Sequence, residues 1–163
     1  LSRLLSAQGQ PAAAFDVLSE LSERTPEALP LVAAGLIDSG RSAGQVARAR
    51  QILLDAYDRQ ASLDVLEALV RCRAESEPDA ARELYVRHLE REPSLIAAAR
   101  WLTGERFEHE HLHPPVQRAL DQATRPLSRY RCAACGFEAT RHFWQCPGCQ
   151  AWDSYPPRRV EEL

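Results

Sequence analysis

The chain has 163 residues, of which 45% are hydrophobic and 26% are charged, and its formal net charge is −3 with a pI near 6.0. This composition is typical of a folded globular protein and argues against long disordered segments. The slightly acidic balance supplies no strong field that would attract nucleic acid or an anionic membrane, so charge favours neither partner.

The start of the chain and its longest apolar run bear on membrane attachment. No Met occurs anywhere and the chain opens at Leu1, so we expect a fragment or a processed product that could lack an N-terminal anchor. The longest strongly apolar, uncharged run covers residues 28–37, about half of the roughly 20 residues that a membrane-spanning helix needs. We therefore expect the residues present here to be soluble.

Three segments repeat one pattern of small and apolar residues. Counting from Gly9, offsets of 5, 9, 12 and 17 reach Ala14, Leu18, Leu21 and Pro26. The same offsets reach Ala49, Leu53, Ala56 and Ala61 from Gly44, and Ala81, Tyr85, His88 and Pro93 from Ser76. Such offsets are typical of the second helix of a tetratricopeptide repeat. The frames begin 35 and 32 residues apart, close to the roughly 34-residue period of that repeat.

Helical patterns also occupy the segments between these frames. They cover residues 1–8, 27–38 and 63–73, then PSLIAAARWL with Pro93 at a first helical position, and PPVQRALDQAT. A small side chain lets a paired helix approach closely, and a larger one a turn later fills the groove. The sequence therefore predicts a mainly α fold. Its residues 1–125 form a tetratricopeptide-type array with helix pairs near 1–25, 27–60, 62–92 and 94–124, or alternatively an irregular helical bundle.

Three histidines near the last predicted helix are candidate metal ligands. In HEHLH, His109, His111 and His113 alternate with Glu108 and Glu110. An extended segment would place the three imidazoles on one side, where they could bind a transition metal. Two prolines follow directly, so a solvated loop between helices is the favoured interpretation, and no acid and base pair is assigned without a pocket.

Two further features of the helical part are interpreted as packing. Cys72 lies at helical spacing from Leu69 and is expected to be a small buried residue, not a nucleophile. Tyr57, Tyr85 and Trp101 could line a peptide groove, but packing between helices is favoured.

The segment YRCAACGFEATRHFWQCPGCQAW, residues 130–152, holds two CxxC pairs separated by ten residues. Each CxxC turn can offer both sulfurs to one ion while its backbone amides hydrogen-bond them. Gly136 supplies a positive-φ residue after the first pair, and Pro147 and Gly148 shape the second turn. The predicted ligands of one metal ion are Cys132, Cys135, Cys146 and Cys149. We predict a rubredoxin-like zinc ribbon over residues 129–155, followed by a tail at 156–163.

The side chains around the cysteines extend this prediction to the ribbon's interior and to the tail. The residues expected to form the apolar filling are Phe137, Phe143, Trp144 and Trp152. The tail PPRRVEEL carries charges of both signs, so it is expected to be frayed or, equally, to act as a docking strip.

The alternatives to a structural zinc site are two disulfides, a bound iron ion and a catalytic metal. Two disulfides are disfavoured, because a helical array with a fifth, unpaired cysteine fits a reducing compartment. Zinc is favoured because a closed set of four thiolates suits a structural site, yet the same ligands serve rubredoxin-like iron. A closed set leaves no position for water or substrate, so metal-assisted hydrolysis is not expected.

Charge also weakens the nucleic-acid hypothesis for the ribbon. Residues 126–163 carry five Arg and four acidic residues, a balance of +1. A zinc ion held by four thiolates adds about −2, so the occupied module is near −1 and attracts phosphates weakly. No nucleic-acid partner is therefore expected.

The order of these elements resembles a known family. Tetratricopeptide-like repeats followed by YRCAACGF and FWQCPGCQAW resemble the lipopolysaccharide assembly protein B family of bacterial inner-membrane proteins. A similar CPGCxAW ribbon opens a bacterial DNA-repair ATPase, but a phosphate-binding loop follows there and no GxxxxGK[ST] occurs here. From the family only the four cysteines carry over, as metal ligands.

The resemblance implies a non-enzymatic adaptor that acts through protein contacts. Members of the family bind the membrane protease FtsH and promote degradation of the deacetylase LpxC, which limits lipopolysaccharide synthesis. They lie at the cytoplasmic face of the inner membrane, held by an N-terminal transmembrane helix, and their ribbon is expected to lie against the repeats. The alternatives are a rubredoxin-like iron module for electron transfer and a nucleic-acid-binding zinc ribbon on a repeat scaffold. The oligomeric state and the repeat surface that binds partners stay open.

Overall fold

The computed structural model describes residues 1–74, 77–105 and 109–163. Within these ranges the regular structure consists of eight α-helices and one two-stranded sheet. The helices are α1 Ser2–Ala7, α2 Pro11–Arg24, α3 Leu29–Ser42, α4 Val46–Arg59, α5 Leu63–Arg73, α6 Pro78–Arg91, α7 Leu95–Leu102 and α8 His113–Thr124. The strands are β1 Tyr130–Arg131 and β2 Glu138–Ala139. The prediction of a mainly α repeat fold that ends in a small ribbon is confirmed.

The chain divides into two compact units, residues 1–81 and 82–163. The division falls within α6 and therefore does not coincide with the predicted change from repeats to ribbon near residues 125–129. The second unit contains the ribbon together with α7 and α8. None of the described helices is both long enough and apolar enough to cross a membrane.

The turns at the start of the first two repeat frames share one geometry. Gly9 and Gly44 both have a left-handed backbone, with φ of 73° and 69°. After α1, the amide of Gln10 bonds the carbonyl of Leu5 and the amide of Gly9 bonds that of Ser6. After α3, Gln45 and Gly44 repeat these two bonds on Gly40 and Arg41, so each glycine ends its helix in a Schellman motif. Ser76, which starts the third frame, lies outside the described residues.

The core of the first unit is built around α3, which packs against α2, α4 and α5. Ala14, Ala33 and Ala49 are fully buried, as expected of the small residues that let helices approach. The large side chains that fill the remaining space, each at most 1% exposed, are Phe15, Leu29, Leu36, Ile37, Leu53, Leu66 and Leu69. Of the repeat positions in the first two frames, Ala14, Leu18, Ala49 and Leu53 are core positions, whereas Leu21 and Ala56 are half-buried.

The second unit differs from the sequence prediction at the start of α7. Pro93 was expected at a first helical position, but the helix begins at Leu95 and Ser94 is its N-cap. The Ser94 hydroxyl accepts a hydrogen bond from the amide of Ala97, which satisfies one of the amide groups that a helix start leaves unpaired. The cap therefore sets the helix start, and Pro93 precedes it.

Side chains interpreted from the sequence as packing residues are buried to different extents. Tyr57 and Tyr85 are 4% and 8% exposed, which confirms packing as their role. Trp101 is half-buried. Cys72 is also half-buried, so it is less enclosed than expected.

Candidate metal centre

The first CxxC turn is held between β1 and β2. These strands pair antiparallel, with Tyr130 opposite Ala139 and Arg131 opposite Glu138. The ladder continues into the turn, where the amide of Cys132 donates to the carbonyl of Phe137 at 2.9 Å. The amide of Gly136 then donates to the carbonyl of Cys132, also at 2.9 Å, and Gly136 has a φ of 75°. These bonds fix the turn that presents the sulfurs of Cys132 and Cys135.

The second CxxC turn repeats this pattern. The amide of Cys146 donates to the carbonyl of Ala151, and the amide of Gln150 donates to the carbonyl of Cys146. An antiparallel bridge between Gln145 and Trp152 closes its base. The two turns are therefore nearly equivalent, and the left-handed residue that matches Gly136 is Gln150, with a φ of 62°.

Gly148 has a different role in the second turn. A Cβ atom at this position would lie 3.2 Å from the ring of Phe137, so the glycine allows the two turns to approach closely. Its amide lies 3.4 Å from the sulfur of Cys146 and donates to it. Gly148 therefore contributes both space and a hydrogen-bond donor to the site.

The four predicted ligands come together in one cluster. Their Sγ atoms all lie within 4.8 Å of one another, with 3.9 Å between Cys132 and Cys149 and 3.7 Å between Cys135 and Cys146. A tetrahedral ion with metal–sulfur bonds of about 2.3 Å requires sulfur–sulfur edges of about 3.8 Å. The donor set therefore fits one tetrahedral metal ion.

The same distances bear on the disulfide alternative. A disulfide requires a sulfur–sulfur distance of about 2.05 Å. All five cysteines, including Cys72, are free thiols in the structure. The chain thus holds its four clustered sulfurs at the separation of metal ligands, not of bonded pairs.

The two turns expose their sulfurs unequally. Cys132 and Cys146, the first of each pair, are both 1% exposed, whereas Cys135 and Cys149 are exposed. One side of the centre is thus enclosed by the ribbon and the other faces outward. An ion bound here would be shielded by protein on one side only.

Local hydrogen bonds separate the acidities of the thiols. The side-chain hydrogen bond with Ser154 lowers the pKa of Cys132 to about 6, against the effect of burial. Burial acts to raise the pKa of Cys146, but the amides of Cys149 and Gly148 outweigh it, so this pKa is lowered. The hydrogen bond from the amide of Phe137 acts to lower the pKa of Cys135. The neighbouring thiols and burial outweigh it and raise this pKa to about 12. The site therefore favours thiolates at its two enclosed positions.

Ser154 and Tyr155 enclose the centre, and no pattern in the sequence pointed to them. Tyr155 is 3% exposed, its hydroxyl donates to the carbonyl of Phe137 at 3.1 Å, and it lies 4.0 Å from the sulfur of Cys146. Burial raises the pKa of Tyr155 to about 12, so the phenol stays protonated and able to donate. Because these contacts join residues far apart in sequence, no local spacing signalled them.

The predicted apolar filling of the ribbon is wrong for three of its four members. Phe137, Trp144 and Trp152 are 44%, 59% and 68% exposed, and Phe143 is half-buried. Tyr130 and Tyr155 are the buried aromatic residues of the ribbon. The sulfur cluster occupies the place where a larger domain would have an apolar core, so it leaves little interior room for indole rings.

The tail is held by hydrogen bonds at residues 159–161, so the expectation of a frayed end is wrong for this part of it. The amide of Val160 donates to the carbonyl of Arg129 at 2.7 Å, and Arg159 donates from its guanidinium to the carbonyl of Ser128. Glu161 accepts hydrogen bonds from the amides of Leu95 and Ile96 at the start of α7. A negative charge at this position is favoured by the helix dipole.

The histidines of HEHLH do not form a metal site in the described structure. Glu110–Leu112 is one turn of 3-10 helix, and His113 begins α8, so the segment is not extended. His113 directs its Nε2 to the carbonyl of Leu102 at 3.2 Å. The rings of His109 and His111 lie 5.9 Å apart, while Glu108 is outside the described residues. Among the described residues, the four cysteines form the one group that could hold a metal ion.

Comparisons with known proteins identify relatives of the whole chain and of its ribbon. Residues 130–157 match the family described as the rubredoxin metal binding domain. The chain is 25% identical to lipopolysaccharide assembly protein B of Escherichia coli K12, over 98% of this chain and 42% of that protein. It is 24% identical to the protein of the same name from Haemophilus influenzae, over 99% of this chain and 42% of that protein. The chain thus spans less than half the length of these relatives, and the resemblance seen in its sequence is confirmed.

Proposed function

We propose that this chain acts in lipopolysaccharide assembly, as a non-enzymatic adaptor whose helices bind other proteins and whose ribbon is held by one metal ion. The observation that carries the proposal is the cluster of four sulfurs within 4.8 Å, inside the segment that matches the rubredoxin metal binding domain. The similarity to lipopolysaccharide assembly protein B runs through 98% of the chain, so it includes the helices as well as the ribbon.

The ion that we propose is zinc, bound by Cys132, Cys135, Cys146 and Cys149. Zinc would neutralise the thiolates and crosslink the two turns, because a ribbon this small lacks an apolar core of its own. The hydrogen bond that the amide of Gly148 donates supports the thiolate form of Cys146, and the side-chain hydrogen bond between Cys132 and Ser154 lowers the pKa of Cys132. A structural role follows from four protein ligands, which leave no position on the ion for a substrate.

The finer part of the proposal concerns partners and place. By family resemblance, the partners are the FtsH protease and the deacetylase LpxC, and the chain promotes FtsH-dependent degradation of LpxC at the cytoplasmic face of the inner membrane. Tetratricopeptide-type arrays offer broad preformed surfaces for such protein contacts. The ribbon would contribute by fixing the helices to which it is docked, as the bonds of Arg159, Val160 and Glu161 suggest.

Elemental analysis tests the metal. Protein purified from cells supplied with both zinc and iron is expected to contain one zinc ion per chain, and Cys146→Ser is expected to lose it. Cys72→Ser is the matched control, because Cys72 lies outside the cluster and should leave the zinc content unchanged. Stoichiometric iron with reversible redox chemistry would instead support the electron-transfer alternative.

A binding and degradation assay tests the adaptor role. The chain is immobilised and purified LpxC from the same organism is passed over it, and LpxC degradation by FtsH is then timed with and without the chain. We expect wild type and Cys72→Ser to retain LpxC and to accelerate its degradation. We expect Cys146→Ser to retain less LpxC and to accelerate its degradation less. Absence of LpxC binding together with an unchanged degradation rate would contradict the proposed partners, while the metal result would stand independently.

A further inference from the structure

A cleft of about 500 Å³ lies within the second unit, between the ribbon and the two helices that precede it. Helices α7 and α8 and the turn that follows α8 supply most of its wall, the ribbon supplies Arg129 and Thr140, and the tail supplies Arg159. The charged side chains that line the cleft are Arg100, Arg125, Arg129, Arg159 and Asp121. The cleft lies away from the metal ligands, none of which lines it.

The charge of this lining reverses that of the chain. The whole sequence has 20 basic and 23 acidic residues, but the cleft is lined by four arginines and one aspartate. Nearby Glu138 lies 3.5 Å from Arg129, but it also binds Arg131, so it does not cancel the excess. A concentration of guanidinium groups in a concave site raises the local potential for anions.

Helical spacing explains how the arginines converge. On α7, Ile96 and Ala99 lie on the same stripe as Arg100 and form apolar wall of the cleft. On α8 the stripe of Asp121 and Thr124 continues to Arg125, the residue that ends the helix. Because α7 and α8 pack together, these two stripes border the same cleft.

The fourth arginine, Arg159, is held by contacts of its guanidinium group. The guanidinium of Arg159 donates to the carbonyl of Ser128 at 2.7 Å and lies over the ring of Tyr130, 5.2 Å from its centre. The hydroxyls of Thr124 and Ser128 already donate to backbone carbonyls one turn earlier. These two hydroxyls are therefore engaged within the chain, and the charged donors that line the cleft are guanidinium groups.

We propose that this cleft binds the phosphate group of a phosphorylated small molecule or headgroup. Guanidinium groups bind phosphate through paired, charge-assisted hydrogen bonds, and several of them can share its three terminal oxygens. A volume of about 500 Å³ suits a small ligand, and the apolar side chains of Ile96 and Ala99 can contact the carbon part of the molecule. This binding goes beyond the adaptor role, which does not require it.

The test uses a soluble phosphate monoester and a lipid with the same headgroup. Binding of glycerol 3-phosphate to the zinc-loaded chain is measured by calorimetry at low and at higher salt. In parallel, the chain is sedimented with phosphatidylcholine vesicles that either contain or lack phosphatidic acid. The variants are Arg100→Gln and Arg125→Gln in the cleft and, as a control with the same charge change, Arg87→Gln on the exposed side of α6.

We expect saturable binding of glycerol 3-phosphate that weakens with added salt and falls about tenfold in each cleft variant, while Arg87→Gln binds as wild type. Zinc content and thermal unfolding show that each variant remains folded. If the wild-type chain also sediments with phosphatidic acid vesicles and the cleft variants do not, the phosphate belongs to a lipid headgroup. If the chain does not sediment with these vesicles, the phosphate belongs to a soluble molecule. The proposal is overturned if glycerol 3-phosphate does not bind at low salt or if Arg87→Gln weakens binding equally.

Discussion

Two residues with left-handed backbone shape the turns that carry the sulfurs. Gly136 and Gln150 take equivalent places, each with its amide bonded to the carbonyl of the first cysteine of its turn. Glycine adopts this conformation without strain, whereas a residue with a Cβ atom pays roughly 1–2 kcal/mol. The second turn is therefore the more strained of the two.

Exchanging residue types at these two positions should change stability in opposite directions. A Cβ atom on Gly136 would meet no other atom within 4 Å, so Gly136→Ala should cost only the backbone term, about 1 kcal/mol. Gln150→Gly should stabilise the ribbon by a smaller amount, because relief of strain is partly offset by the greater entropy of glycine in the unfolded chain. Urea unfolding at saturating zinc measures both. If both substitutions changed the free energy of unfolding equally and in the same direction, the backbone conformation of these turns would not limit the stability of the ribbon.

The unequal acidities of the thiols predict how many protons leave when metal binds. At neutral pH, a pKa of about 6 makes Cys132 largely a thiolate, while a pKa of about 12 keeps Cys135 protonated. Metal uptake must remove the proton of Cys135 but finds Cys132 already deprotonated. We therefore expect release of at least one but fewer than four protons per ion at pH 7. Zinc titration calorimetry in two buffers with different ionisation enthalpies gives this number.

A release close to four protons would contradict this prediction. Cysteines in an unfolded chain have a pKa near 8.5. A ribbon that is unstructured before metal binding would therefore release nearly four protons when the ion binds. Cys146→Ser with the same titration serves as the blank, because this variant is expected not to retain zinc. The result would therefore distinguish a site formed before metal binding from one formed by it.

At the scale of elements, Gly40 marks a close approach between α3 and α4. A Cβ atom added to Gly40 would lie 2.9 Å from the Cβ of Ala49 and 3.3 Å from the ring of Phe15. The Cβ of Ala49 is bonded directly to the backbone of α4, so it cannot move away by a change of rotamer. Gly40 thus permits the contact that the repeat pattern of small residues requires.

Gly40→Ala should destabilise the first unit even though alanine favours helix. Overpacking costs about 1–3 kcal/mol, against a gain in helix propensity of about 1 kcal/mol, so we expect a net loss of about 1 kcal/mol. Gly35→Ala on the same helix is the matched control, because its Cβ would make an ordinary contact at 3.6 Å with Leu18. The control should gain roughly 0.5–1 kcal/mol. Thermal unfolding of both variants measures the difference, and stabilisation by both would refute the close approach.

Sequence patterns predicted elements well where the signal was local. The bounds of α5 agree with the predicted residues 63–73, and two CxxC pairs sufficed to place four sulfurs in one cluster. Sequence patterns did not predict features that depend on contacts between residues far apart in the sequence. Tyr155 encloses the centre by bonding Phe137, 18 positions away, and Glu161 caps α7 from 66 positions beyond Leu95. Gln150 was missed because, unlike glycine, its residue type does not signal a positive φ.

At the scale of the whole molecule, the tail links the metal centre to a helix of the same unit. It leaves the ribbon at Tyr155, which lies against the sulfur cluster, and reaches α7 through the carboxylate of Glu161. Bonds of Arg159 and Val160 to residues 128 and 129 hold it between these points. Loss of the metal should therefore disturb the start of α7 as well as the ribbon.

Hydrogen exchange after loss of the metal tests this link. In Cys146→Ser, the amides of Leu95 and Ile96 should exchange faster because Glu161 no longer holds them, and the ribbon amides should lose protection. Amides of α3 should exchange as in wild type, and most helical circular dichroism should remain, because the first unit has its own core. Cys72→Ser controls for the substitution itself. Unchanged exchange at Leu95 would show that the cap made by Glu161 does not depend on the metal. Loss of protection in α3 would mean that both units unfold together.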